Sequence, residues 1–240
     1  SIADCIEQLK DYAEDSIPVL NDDNELLGVI TAQDIVEVVD DEMGDDYAKL
    51  AGMSEEADLE ESLAESIKKR LPWLVVLLGL SLCVSTVTGM FENVISHLAI
   101  IVSFQSLILG MSGNVGTQSL AVTIRVLMDE DLSAGQKWSL VFKEARIGFC
   151  NGLMLGILAF AFIGTYVCLF KGRGVQYAFS ISACAGIALM LAMTISSVVG
   201  TVVPMFFHKV KVDPAVASGP MISTVNDVVA VVTYLGVAGI

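Results

Sequence analysis

The chain has 240 residues and a net charge of −15, and 54% of its residues are hydrophobic, with a mean hydropathy of +0.69. That balance is too apolar for an ordinary soluble domain and too acidic for a binder of nucleic acid or anionic lipid surfaces. The charge is also divided sharply, since residues 1–70 hold 21 acids against 5 bases while residues 71–240 hold 7 acids against 8 bases.

Taken in chain order, the spacing of Ile2, Ile6, Leu9 and Ala13 predicts a helix over 2–17, ended by Pro18. A short apolar strand over 17–20, an Asn21-Asp22-Asp23-Asn24 turn and a second strand over 26–31 follow. The next helix begins at Ala32, with Asp34 in its first turn. One such α/β unit holds too little core to stand alone and is expected to pair with another copy. The sequence opens at Ser1 inside this module and is expected to be a piece of a longer chain. Acids are dense over 40–46 and again over 55–65. The second group falls on a predicted helix over 55–70 with Leu59, Leu63 and Ile67 on one stripe. Such a face can be merely solvated, but its place just before the membrane part favours a regulatory linker.

Four uncharged runs, at about 71–91, 94–124, 147–170 and 174–207, and a fifth at 215–240 interrupted by a single acid, each reach the ~20 residues that a bilayer core demands. The second and fourth are longer than needed, so breaks, tilt or interfacial stretches are expected there. Lys68, Lys69 and Arg70 precede the first run, and Lys and Arg cluster again between runs two and three. By the positive-inside rule the N-terminus is cytoplasmic and the C-terminus outside. The five cysteines form no CxxC pair, and four lie in apolar runs, where they read as packing residues.

The last run carries one acid, Asp227, with 12 residues before it and 13 after. At ~1.5 Å per residue this places it ~18–20 Å from either end, near the bilayer midplane. An ionisable group at that depth normally faces a partner, a cavity or an ion path. Pro220 removes a backbone donor and is expected to free a carbonyl one turn earlier. Ser223, Asp227 and Val231, at steps of four, fall along one face, with Pro220 and Thr224 beside it. Run two has a matching polar insertion, in which Gly113 and Gly116 permit close helix contact or a local break, while Asn114, Thr117 and Gln118 supply oxygen and amide groups. One carboxylate matches a divalent cation poorly, whereas two related by a twofold axis supply −2. Hard oxygen ligands without a His or Cys cluster favour Mg²⁺ or Ca²⁺ over Zn²⁺.

The segments GMSGNVGTQSLAVTIR and VDPAVASGPMISTVNDVVAVVTYLGVA resemble the two signature stretches of the MgtE family of magnesium channels and transporters, and SIPVLNDDNELLGVITAQDIVEVV resembles the end of a CBS module. The resemblance implies a mainly α, five-span membrane protein: a partial CBS module over 1–43, an acidic linker and plug helix over 44–70, and a pore domain over 71–240. It further implies a homodimer in the plasma (inner) membrane, with Mg²⁺ as substrate and regulator, ATP as a possible ligand of a complete CBS domain, and no nucleic-acid partner. Carried over by position, Asp227, Ser223, Asn114, Gly116 and Thr117 would meet the metal, and Gly113, Gln118, Pro220, Thr224 and Asn226 would line the pore. Asp34, Glu37, Glu42, Asp45, Asp46 and Asp213 would hold the Mg²⁺ ions that close the gate. Gly219 stands where some relatives carry Asn, so a side-chain ligand there is lost. A Na⁺- or H⁺-coupled divalent cation carrier and a membrane-anchored sensor are the competing readings. No nucleophile–base pair or phosphate loop supports an enzyme.

Overall fold

The computed structural model describes residues 16–53, 60–97, 99–129, 132–214 and 219–239. The chain forms two compact units, Ser1–Ala48 and Lys49–Ile240.

In the first unit, β1 (Ser16–Leu20) and β2 (Leu26–Thr31) form an antiparallel hairpin with an irregularity between Val19 and Leu20. The predicted first helix lies almost wholly outside the described residues. Asn21 closes the acidic turn, its Oδ1 accepting from the N–H groups of Asp23 and Glu25 at 3.0 and 2.8 Å. Asn24 takes the left-handed conformation (φ 60°) that asparagine tolerates. α1 (Ala32–Leu50) starts on a reciprocal cap. The Asp34 carboxylate accepts from both the N–H and the hydroxyl of Thr31 at 2.7 Å, and the Asp34 N–H donates to Thr31 Oγ1 at 3.3 Å. The backbone bond first, then the hydroxyl, holds the Asp34 carboxyl below its usual value. Its support for this helix start is therefore present at neutral pH and is lost as the pH falls through that lowered value. α1 runs past the module edge expected at 43, because the acids of 40–46 sit on a continuing helix and not in a loop.

The second unit contains α2 (Leu63–Gly89), α3 (Glu92–His97), α4 (Ala99–Asp129), α5 (Ala134–Lys171), α6 (Val175–Lys209) and α7 (Gly219–Ala238). All but α3 are long and apolar enough to cross a membrane, which makes this a multi-pass, mainly helical protein with five candidate spans. The linker helix and the first span form one helix. α2 begins behind a Ser62–Glu65 capping box and passes through Pro72 without ending. Residues 54–59, where the linker helix was expected to start, lie outside the described residues. The second run lies on α3 and α4, to either side of Leu98, which is outside the described residues, and the fourth is a single helix of 35 residues.

Small residues set the packing. A methyl group placed on Gly148, Gly152 or Gly156 of α5 would come within 2.6 Å of Ser197 Cβ, 2.9 Å of Met190 Cα or 2.7 Å of Gly186 O on α6. Position numbers rise on α5 as they fall on α6, so this pair is antiparallel, and its glycines let the two backbones touch. α6 is the central helix, buried from Ala178 to Pro204 against α4, α5 and α7. α4 and α7 are also antiparallel, tied at one end where the Tyr234 hydroxyl donates to Ile101 O at 2.8 Å. α2 packs against α7 and buries no residue of its own.

Candidate functional site

Asp227 lies eight residues into α7, half-buried. No hydrogen bond or ion pair reaches its carboxylate from the described residues. Along the helix axis the acid is ~12 Å from Gly219, the first described residue of α7, and ~17 Å from Ala238. Asn226 rests on Gly116, the Gly116 carbonyl faces Gly200, and Ser197 Oγ donates to the Glu144 carbonyl at 2.8 Å. The run-length placement counts residues 215–218, which lie outside the described residues.

Pro220 is the second described residue of α7, and its own carbonyl accepts from Thr224 Oγ1 at 2.8 Å. The carbonyl one turn earlier falls within 215–218, outside the described residues.

The polar insertion of α4 stays helical and its residues part company. Asn114 and Gln118 are exposed on one face, and half-buried Thr117 donates to Asn114 O at 2.9 Å. Gly113 and Gly116 are buried on the opposite side, under α7. Ser223 sits on Gly113, where a methyl would come within 2.6 Å of its Oγ. Asn226 is completely buried over Gly116, while its carbonyl accepts from Ser112 Oγ at 3.4 Å. Gly113, Gly116 and Asn226 thus join helices, and Asn114, Gln118 and Asp227 are the groups left to meet solvent or an ion. Val231, on the Asp227 stripe, is buried in the core.

On α1, Asp34, Glu37 and Asp45 are exposed and Asp46 is half-buried, with Glu42 on the same helix. In the second unit Asp213 is bridged by Lys49 at 2.8 Å. Among the described residues no three His, Cys, Asp or Glu side chains converge as a ready metal cluster. Cys83, Cys150, Cys168 and Cys184 are free thiols.

One buried acid escapes the sequence reading. Glu144 of α5 is 4% exposed, and Ser119 Oγ donates to its carboxylate at 2.9 Å. Ser119 in turn meets Ser197 Oγ at 2.8 Å. The signal was present: Glu144, Gly148, Gly152 and Gly156 recur at steps of four, so the acid continues the glycine stripe. Glu144→Ala is expected to take the carboxylate acceptor from Ser119, leaving Ser197 Oγ as its remaining partner, and to destabilise the protein by ~1–3 kcal/mol. Glu144→Gln keeps an acceptor and is expected to lose less. Thermal melting of the purified variants decides this.

The MgtE divalent cation transporter family matches residues 105–237, and the CBS domain matches residues 1–41. The chain is 34% identical over 235 residues to the magnesium transporter MgtE of Enterococcus faecalis, covering 98% of this chain and 50% of that protein. It is 34% identical over 223 residues to the Bacillus subtilis magnesium transporter MgtE, covering 93% and 48%. The Thermus thermophilus magnesium transporter MgtE is 30% identical over 234 residues, covering 96% and 49%. The chain therefore spans about half the length of the curated relatives it matches. This is a family of transporters and not of enzymes. Two matched parts in the same order, a partial CBS domain and a helical membrane unit with an acid in its last span, make this chain a member of the MgtE divalent cation transporter family.

Proposed function

We propose that the chain forms the pore of a Mg²⁺-selective channel, acting as a homodimer with one ion path on the twofold axis. The observation that carries this reading is the Asp227 carboxylate, half-buried in the last span and without a partner among the described residues. A charge held among apolar helices is costly unless something opposite in sign meets it. Two such carboxylates facing across an axis supply −2, the charge of the ion itself. Mg²⁺ gives up water reluctantly, so oxygen and amide groups that hold its hydration shell suit it better than a tight cage. Asn114, Thr117 and Gln118 offer such groups on α4. The names of the relatives favour Mg²⁺ among divalent ions.

In the same reading the N-terminus is cytoplasmic and internal Mg²⁺ closes the path. Asp34, Glu37, Glu42, Asp45, Asp46 and Asp213 collect the closing ions, and their mutual repulsion opens the path when Mg²⁺ is scarce. ATP at a complete CBS domain would act on this sensor and not on the ion path.

Planar-bilayer recording of the full protein in Mg²⁺-only solutions tests the proposal. Unitary currents without a Na⁺ or H⁺ gradient are expected. Saturable Mg²⁺ movement that needs a counter-ion and shows no unitary events would make the protein a coupled carrier instead.

A further inference from the structure

The glycines of α4 receive α7 as two notches receive two pegs. Ser223 enters at Gly113 and Asn226 at Gly116, three residues apart on both helices. The helices run antiparallel, and the Asn226 side chain leans back toward its own N-terminus, as helical side chains do. Its amide therefore reaches Gly116, where an added methyl would lie 1.8 Å from Nδ2. Gly116 cannot withdraw, since its carbonyl is held against Gly200 of α6, where a methyl would come within 2.2 Å of it. The Asn226 backbone is fixed as well, through Ser112 Oγ, which is itself hydrogen-bonded to Ser196.

Neither amide atom of Asn226 has a partner among the described residues, although the side chain is completely buried. What places the side chain is its close fit against Gly116. The next residue is Asp227. Because consecutive helical residues are ~100° apart on one rigid rod, whatever sets the rotation at Asn226 also aims the carboxylate.

We propose that Asn226 is a positioning residue for Asp227, its amide locked over Gly116 so that α7 presents the acid at one fixed angle. The inference rests on the reading of Asp227 as the ion site. Binding groups lose their effect when displaced by as little as ~0.5–1 Å, so a small rotation of α7 should register in ion selection before it registers in folding.

The test is a mutant cycle on the full protein in liposomes, reading the half-saturating Mg²⁺ concentration and the Mg²⁺/Ca²⁺ uptake ratio. Asn226→Ala and Gly116→Ala are each expected to lower that ratio by about tenfold. Asn226→Ala should melt within ~4 °C of the unmodified protein, since removing an unpartnered amide offsets the lost packing. Gly116→Ala/Asn226→Ala puts a methyl where the amide was, and is expected to recover to within about threefold of the unmodified ratio. A double variant that melts normally but stays as impaired as Gly116→Ala overturns the proposal. So does one that fails to assemble, or an unchanged ratio in Asn226→Ala. Asp227→Asn is run beside them: if Mg²⁺ flux survives there, the ion-site reading itself is wrong, whatever the Asn226 variants do.

Discussion

Asp227→Asn is expected to abolish selective Mg²⁺ flux while leaving the amount of folded protein in the membrane unchanged. The substitution keeps the side chain's volume and removes only its charge. Across one layer of water, at ~5 Å and an effective dielectric of ~20, a divalent cation and one carboxylate attract by roughly 6–7 kcal/mol. A monovalent ion gains half of that, so two facing carboxylates select by charge as well as attract. Each loss of ~1.4 kcal/mol is a factor of ten in occupancy, and the change should lower Mg²⁺ flux by more than ~100-fold. Asp227→Glu keeps the charge one methylene further out and is expected to retain part of the flux with weaker discrimination against Ca²⁺. The measurement is Mg²⁺ uptake into liposomes at matched protein content. Wild-type uptake by the Asn variant would show that this acid has no part in the ion path.

Gly200→Ala is expected to be the most destabilising single change in the membrane unit. Its methyl would lie 2.2 Å from Gly116 O, 3.0 Å from Gly116 C and 3.2 Å from Gly116 Cα. All three are backbone atoms, so no side-chain rotation relieves the collision and α4 must move away from α6. That movement also pulls at the Ser112–Ser196 and Ser119–Ser197 contacts. Overpacking of this kind typically costs ~1–3 kcal/mol, and an immovable neighbour places this case at or above the upper end. Gly135→Ala is the control. Its methyl would meet nothing within 4 Å, and alanine in a helix is favoured over glycine by about 0.5–1 kcal/mol. Melting curves in detergent should separate the two by many degrees. Equal stability would mean that α4 and α6 are not clamped at this point.

The two predictions draw on different kinds of information. Asp227 is visible to anyone who counts charges along an apolar run, because hydrocarbon makes every ionisable residue conspicuous. Gly200 is invisible in the same count. It lies within a long uncharged run, and nothing in its neighbours says which of several small residues meets another backbone. Glu144 falls between these cases. Its step of four from Gly148 marks it as part of a packing stripe, yet Lys143 and Arg146 beside it make it look like an ordinary charged flank.

The amino-acid sequence by itself determined that this is a membrane protein with five apolar spans, an acidic head resembling a CBS module, and one acid in its last span. Solvent decides those properties: hydrocarbon and water sort residues by transfer free energy, which is additive along a chain and needs no partner to be read. Only the tertiary structure decided that α2 is one helix through Pro72, and that Gly113, Gly116 and Asn226 pack between helices. Those properties depend on which surfaces touch, and contact between helices is set by register and rotation, which a linear pattern of small and large residues leaves open.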